Sequence, residues 1–200
     1  MYTVESLLTQ DDIEEAKEVY ARTKMYNVWQ YYNLFNCERR DVKEDISEYG
    51  FMKKIKARAN GLAVNSTPYF LLYPEGSFCR QHTDHQTDMT IVTYIETKDL
   101  VGGDAIVMTD YRPFFKDGRP ADWKAIRGKS EDESPPYGKV IVPETPVVED
   151  GQSLIYGPSL LHSVSKVYKG SRLVLIVWFN KVGTFNDANM PEDMKGATSK

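Results

Sequence analysis

The sequence predicts a mostly β, α+β fold: a closed or double-sheet β core with N-terminal helices packed on one outer face. Two observations carry this. Up to about Gly61 the apolar residues recur at helical spacing, and beyond it the texture changes to short β-branched and aromatic runs cut by Gly, Pro and Asp. Length adds a third, because 200 residues suit one domain with a real core, without disulfides or structural zinc. The expected organisation is a single domain over 1–200, with a helical support region at 1–61, the β core at 62–181 and a peripheral tail at 182–200.

The first helix is expected over 10–24. Thr9 followed three positions later by Asp12 resembles a capping box, and Ile13, Ala16, Val19 and Tyr20 then fall on one face. Residues 26–35 are dense in aromatics and fit a strand or a packed loop equally. A second helical stretch is expected over 41–60, with Val42, Ile46, Tyr49 and Ile55 in period, Gly50 as a break and Asn60-Gly61 as the stop. The basic cluster Lys53, Lys54, Lys56 and Arg58 reads as a solvated helix face.

Eight short strands are expected after Gly61, at 68–73, 81–84, 89–96, 104–108, 139–142, 152–156, 163–167 and 172–181. Gly102-Gly103 reads as a close approach or bulge ahead of a strand. Residues 110–138 are polar and contain Asp117-Gly118 and Pro135-Pro136. A segment of that length in a small domain reads as a lid, a binding loop or an insertion.

Composition narrows the function classes. The net charge is −4 and no like-charge block forms a phosphate-tracking surface, so no nucleic-acid partner is expected and a nucleic-acid demethylase is poorly served. Cys37 and Cys79 stand in no metal or redox spacing, and residues 1–9 lack a signal pattern, which points to a reducing, cytoplasmic compartment. No apolar run approaches the roughly 20 residues that span a bilayer, so no membrane partner is expected.

The chemistry centres on His82-x-Asp84. In an extended segment, residues two apart point to one face. One more histidine from another strand would give two imidazoles and a carboxylate, the set that leaves several coordination positions open in non-haem Fe(II) oxygenases. Of three histidines, His162 also falls beside an expected strand and completes the set, whereas His85 projects to the opposite face and reads as surface or substrate-side. The bland alternative for His162 is a satisfied strand-edge histidine. Arg172 opens the final apolar strand, sharing a face with Val174, Ile176 and Trp178. An arginine there is costly to bury unless it meets an anion, which a dicarboxylate would supply in bidentate fashion; an ion pair with a protein carboxylate is the plainer reading. Tyr94 shares a face with Thr90 and Val92, and its hydroxyl could reach the same carboxylate or serve as core filler.

In order along the chain, Tyr73-x-x-Gly76-x-Phe78-x-x-x-His82-x-Asp84, Thr93-Tyr94-Ile95, Gly102-Gly103-Asp104, Val142-Pro143, Gly151-Gln152-Ser153-Leu154-Ile155-Tyr156, Leu161-His162 and Gly170-x-Arg172 with Trp178 resemble the catalytic core of prolyl 4-hydroxylases, within the Fe(II)- and 2-oxoglutarate-dependent dioxygenases. The resemblance covers about 69–181. It implies a double-stranded β-helix, or jelly roll, with iron held by His82, Asp84 and His162. It further implies 2-oxoglutarate chelating the iron, its far carboxylate on Arg172 and Tyr94, with Tyr73 and Trp178 lining the pocket. O2 is the co-substrate, ascorbate is a further candidate cofactor, and the products are succinate, CO2 and a hydroxylated carbon. The collagen-type branch has lysine where Arg172 stands, so the arginine is closer to the oxygen-sensing and bacterial-type branches. The 110–138 segment exceeds the usual link at that point in the family. The substrate expected is a prolyl residue in a peptide or protein. A free amino acid or other small molecule is the alternative, and a non-catalytic, cupin-like metal-binding jelly roll is the reading from a different class.

Overall fold

Thr9 closes the start of the first helix, α1 (Gln10–Arg22), through the expected capping box: its side chain accepts from the Asp12 backbone, and the Asp12 carboxylate accepts from the Thr9 N–H at 2.7 Å. Ile13, Ala16 and Val19 form its buried face. The helix stops two residues short of the expected end, where Thr23 turns extended and its hydroxyl donates to the Val19 carbonyl at 2.7 Å. The computed structural model describes residues 1–24, 27–29, 35–84, 86–109, 112–114, 137–139 and 143–181.

The expected second helix is cut to α2 (Gly50–Arg58). Residues 42–49 are irregular, although Val42 and Ile46 still fill the core that α2 packs on. Helical spacing there reflects two buried anchors. Their backbone follows other partners, with Val42 N–H bonded to the Pro68 carbonyl and Ser47 N–H to the Asp45 carboxylate at 2.8 Å. Gly50 opens the helix instead of breaking one. A Cβ at that position would stand 2.9 Å from Asp12 Oδ1, so glycine lets α2 begin against α1.

The front of the chain is also less helical than expected. It contributes β1 (Tyr2–Ser6), β2 (Asn27–Trp29) and β3 (Phe35–Asp41). Then follow β4 (Ala63–Val64), β5 (Tyr69–Tyr73), β6 (Phe78–His82), β7 (Met89–Gly102), β8 (Ala105–Met108), β9 (Arg112–Phe114), β10 (Tyr137–Lys139), β11 (Pro143–Glu144), β12 (Gln152–Tyr156), β13 (Leu161–Val164) and β14 (Val167–Asn180). The expected strand at 163–167 is therefore two elements, β13 and the opening of β14. Of the strand expected at 139–142 only Lys139 is described, as the end of β10; His85, most of 110–138 and the tail from 182 lie outside the described residues, as does most of 26–35.

The sheet is curled and antiparallel, running β1-β12-β7-β14-β5-β3-β6-β13-β8-β11, with β2 on β3, β4 on β14 and a separate β9–β10 pair. This is the jelly-roll-like core that was expected, with two helices on one face. β3 makes the corner: residues 38–41 pair with β5 and residues 35–36 pair with β6, so one strand belongs to both layers. On β14 the period of two separates the faces. Leu173, Leu175, Val177 and Phe179 join the core under the helices, while Val174, Ile176 and Trp178 join the inner cluster with Tyr69, Tyr73 and Tyr94. Among the described residues no helix is long and apolar enough to cross a membrane.

Candidate metal centre

β6 carries His82 at its last position and β13 carries His162 directly opposite, so sheet register alone sets the two imidazoles side by side with ring centroids 4.2 Å apart. Asp84 lies two residues beyond the end of β6, a correction to the expected strand at 81–84, which is in fact Phe78–His82. The chain turn still returns its carboxylate to the histidines. Asp84 Oδ1 is 3.6 Å from His82 Nε2, and Oδ2 is 3.9 Å from His162 Nε2. The three ligand atoms lie within 4.8 Å of one another, close to the ~3–4 Å spacing of donors around one first-row ion.

Tautomer matters here, and the hydrogen bonds decide it. Nδ1 of His82 lies 2.9 Å from the Arg80 carbonyl, and Nδ1 of His162 lies 3.0 Å from the Leu160 carbonyl. A carbonyl only accepts, so each Nδ1 carries the proton and each Nε2 presents a lone pair toward Asp84. Burial, followed by the neighbouring His162, lowers the His82 pKa against the pull of Asp84, which favours the neutral ring a metal needs. Two imidazole nitrogens and one carboxylate are the donor set of an octahedral ion with open positions. The site therefore fits the ferrous ion that the sequence suggested.

Arg172 sits on the inner face of β14, opposite Tyr73 on β5 and Thr97 on β7, and is 2% exposed. Its Nη1 donates to the Tyr94 hydroxyl at 3.0 Å and to the Gly103 carbonyl. Its guanidinium carbon lies 4.7 Å from the Tyr73 ring centre and 5.1 Å from that of Tyr94. Among the described residues no carboxylate pairs with it, and its Nε has no hydrogen-bond partner. The plainer reading, an internal ion pair, is thus absent among those residues. A buried guanidinium answered only by neutral groups is suited to an incoming anion. The Gly102-Gly103 pair serves it: both have φ near +70°, at 74° and 71°, and a Cβ on Gly102 would stand 2.2 Å from the Lys166 carbonyl.

Tyr73 and Trp178, paired by resemblance as pocket lining, mark opposite ends of that face. Tyr73 faces Arg172, whereas Trp178 lies opposite Thr90, the residue that bonds to Asp84, with its Nε1 buried and without a hydrogen-bond partner among the described residues. Thr90, Tyr156 and the Gly103 carbonyl are site groups that the sequence reading did not single out. Thr90 Oγ1 donates to Asp84 Oδ2 at 2.9 Å, and the Tyr156 hydroxyl donates to the same oxygen at 3.0 Å. Burial, then Asp84, holds the Tyr156 pKa well above the usual phenol range, so it remains a donor. The signal available was parity, since Thr90 shares a face with Tyr94, and Tyr156 with Leu154.

Both cysteines are buried and free. Burial pushes the Cys37 thiol up to about 11 and raises that of Cys79 as well, so neither is a ready thiolate.

No protein-family model and no curated protein matches the sequence. Solved structures do. A Pseudomonas putida prolyl-4-hydroxylase is 16% identical with a TM-score of 0.55, over 91% of this chain and 93% of that one. A 2OG-Fe(II) oxygenase family protein from Burkholderia pseudomallei is 10% identical with a TM-score of 0.60, over 93% and 88%. HygX from Streptomyces hygroscopicus, solved with nickel, 2-oxoglutarate and hygromycin B, is 12% identical with a TM-score of 0.59, over 91% and 83%. Across nearly its whole length, the chain has the fold shared by these prolyl-hydroxylase and 2OG-Fe(II) oxygenase structures.

Proposed function

We propose that the chain is an Fe(II)- and 2-oxoglutarate-dependent dioxygenase that hydroxylates an unactivated carbon of a prolyl residue in a peptide or protein. The observation that carries it is the presence, in one chain, of a two-imidazole, one-carboxylate group at β6 and β13 and a buried arginine on β14 that lacks a counter-ion among the described residues. A bare metal-binding barrel has no use for that cation.

The roles follow from position. His82 and His162 offer Nε2 lone pairs and Asp84 offers its carboxylate to iron. Arg172, with Tyr94, grips the distal carboxylate of 2-oxoglutarate, and the Tyr73 ring caps the guanidinium. Trp178 lines the metal end. When bound, iron with 2-oxoglutarate and O2 supplies the oxidising power, yielding succinate, CO2 and one oxygen atom on the substrate carbon. The protein orients the reactants and keeps water out, through the apolar inner faces of β5, β7 and β14.

The iron-loaded protein is expected to form succinate from 2-oxoglutarate, and to add about 16 Da to a proline-containing peptide, one oxygen atom. Arg172→Ala should lose 2-oxoglutarate binding while keeping iron. Absence of succinate under all conditions, with and without ascorbate, would sink the proposal. A second reading keeps the cofactors and takes a small-molecule substrate. It is favoured by the comparable similarity to a structure holding hygromycin B. Product formation on free amino acids and not on peptides would select it.

A further inference from the structure

Asp84 has two oxygens, and their surroundings differ. Oδ1 stands 3.6 Å from His82 Nε2, and among the described residues no donor bonds to it. Oδ2 receives two hydroxyls, from Thr90 at 2.9 Å and from Tyr156 at 3.0 Å. Those residues are a cross-strand pair: the β12–β7 register sets Tyr156 directly opposite Thr90. One rung of the β12–β7 pairing therefore holds the carboxylate through a single oxygen.

Proton count adds a second step. The Tyr156 oxygen is also 3.0 Å from His162 Nε2, a nitrogen without a proton because Nδ1 donates to the Leu160 carbonyl. A phenol has one proton for two acceptors. A cation on the His162 lone pair removes one acceptor and leaves Asp84 Oδ2 as the phenol's sole target.

We propose that Thr90 and Tyr156 are positioning residues for the metal, holding Asp84 so that it ligates through Oδ1 alone. This rests on the metal-binding reading above. The consequence is coordinative. Two imidazoles and one carboxylate oxygen occupy three of six positions, whereas a bidentate carboxylate would take a fourth and compete with a chelating co-substrate. Partners that orient a ligating carboxylate are commonly worth about 10–100-fold in metal affinity.

The test is titration of the metal-free full chain with Mn(II), following free Mn(II) by electron paramagnetic resonance, so that no turnover is needed. Thr90→Val and Tyr156→Phe should each weaken binding by about tenfold or more, and the double variant should be weaker still. Thr90→Ser keeps the hydroxyl and should restore wild-type affinity. The thermal midpoint of each metal-free protein reports packing separately, and if Tyr156→Phe fails to fold, the Val/Ser comparison at Thr90 decides. If Mn(II) binds, His82→Ala abolishes it, and Thr90→Val and Tyr156→Phe bind like wild type, this inference is overturned and the metal centre stands. If His82→Ala binds as tightly as wild type, the metal centre itself is wrong and this inference goes with it.

Discussion

Arg40 and Arg172 enter the interior from opposite faces of the same layer. Arg40, on β3, spreads over the Tyr20 ring at 4.1 Å and donates to the Tyr20 and Thr23 carbonyls at 3.3 and 3.1 Å, the last carbonyls of α1. The partial negative charge at that helix end answers its own. Arg172 has two rings, a hydroxyl and one carbonyl, with no helix end and no carboxylate among the described residues. Among the described residues each leaves Nε without a partner, so that nitrogen does not separate them. What separates them is counter-charge. The outer face, under the helices, is finished by the fold itself. On the inner face Arg172 has no such answering charge among the described residues.

The largest effect expected is on the inner face. His82→Ala, Asp84→Ala and His162→Ala should each abolish succinate production while leaving the far-ultraviolet circular dichroism unchanged, since each removes one proposed metal ligand and none is part of the hydrophobic core. Full turnover in any of the three would remove that residue from the ligand set. Next in size is the outer face. Phe179 is fully buried there, and Phe179→Ala should cost about 3–5 kcal/mol in denaturant unfolding.

Arg172→Met sharpens the comparison, because it should act in the opposite direction. An unpaired buried charge is costly to hold away from water, and an apolar chain of similar volume removes that cost. The thermal midpoint without 2-oxoglutarate should therefore hold or rise, and the rise expected of the wild type on adding 2-oxoglutarate should be absent. A fall in the midpoint would mean the fold itself needs the guanidinium.

The smallest effect lies at the start of α1. Thr9→Ala removes the cap and should cost about 1 kcal/mol. Burial of Asp12 disfavours its charge, but the hydrogen bonds from Lys54 and Thr9 outweigh this and lower its pKa. The stability it contributes is present above the ordinary carboxyl range, near 4, and is lost as pH falls through its lower folded value. The cost of Asp12→Asn should accordingly be greatest at neutral pH and shrink in acid. A cost independent of pH would contradict the charged role.

Features that are local or periodic were legible along the chain. Thr9 and Asp12 announce α1, the alternation along 172–179 assigns each side chain of β14 to a face, and His82-x-Asp84 marks one end of the metal group. These depend on neighbours a few positions apart, which spacing encodes. Only the tertiary structure decided the rest. It turned the apolar anchors at Val42 and Ile46 out of a helix, made β3 the corner strand of two layers, and set His162 against His82 by register. It also brought Tyr156 to an oxygen 72 residues away in the chain. Contacts of that range depend on which strands pair and in what register, and pairing is settled by the burial of whole faces together rather than by any short run of residues.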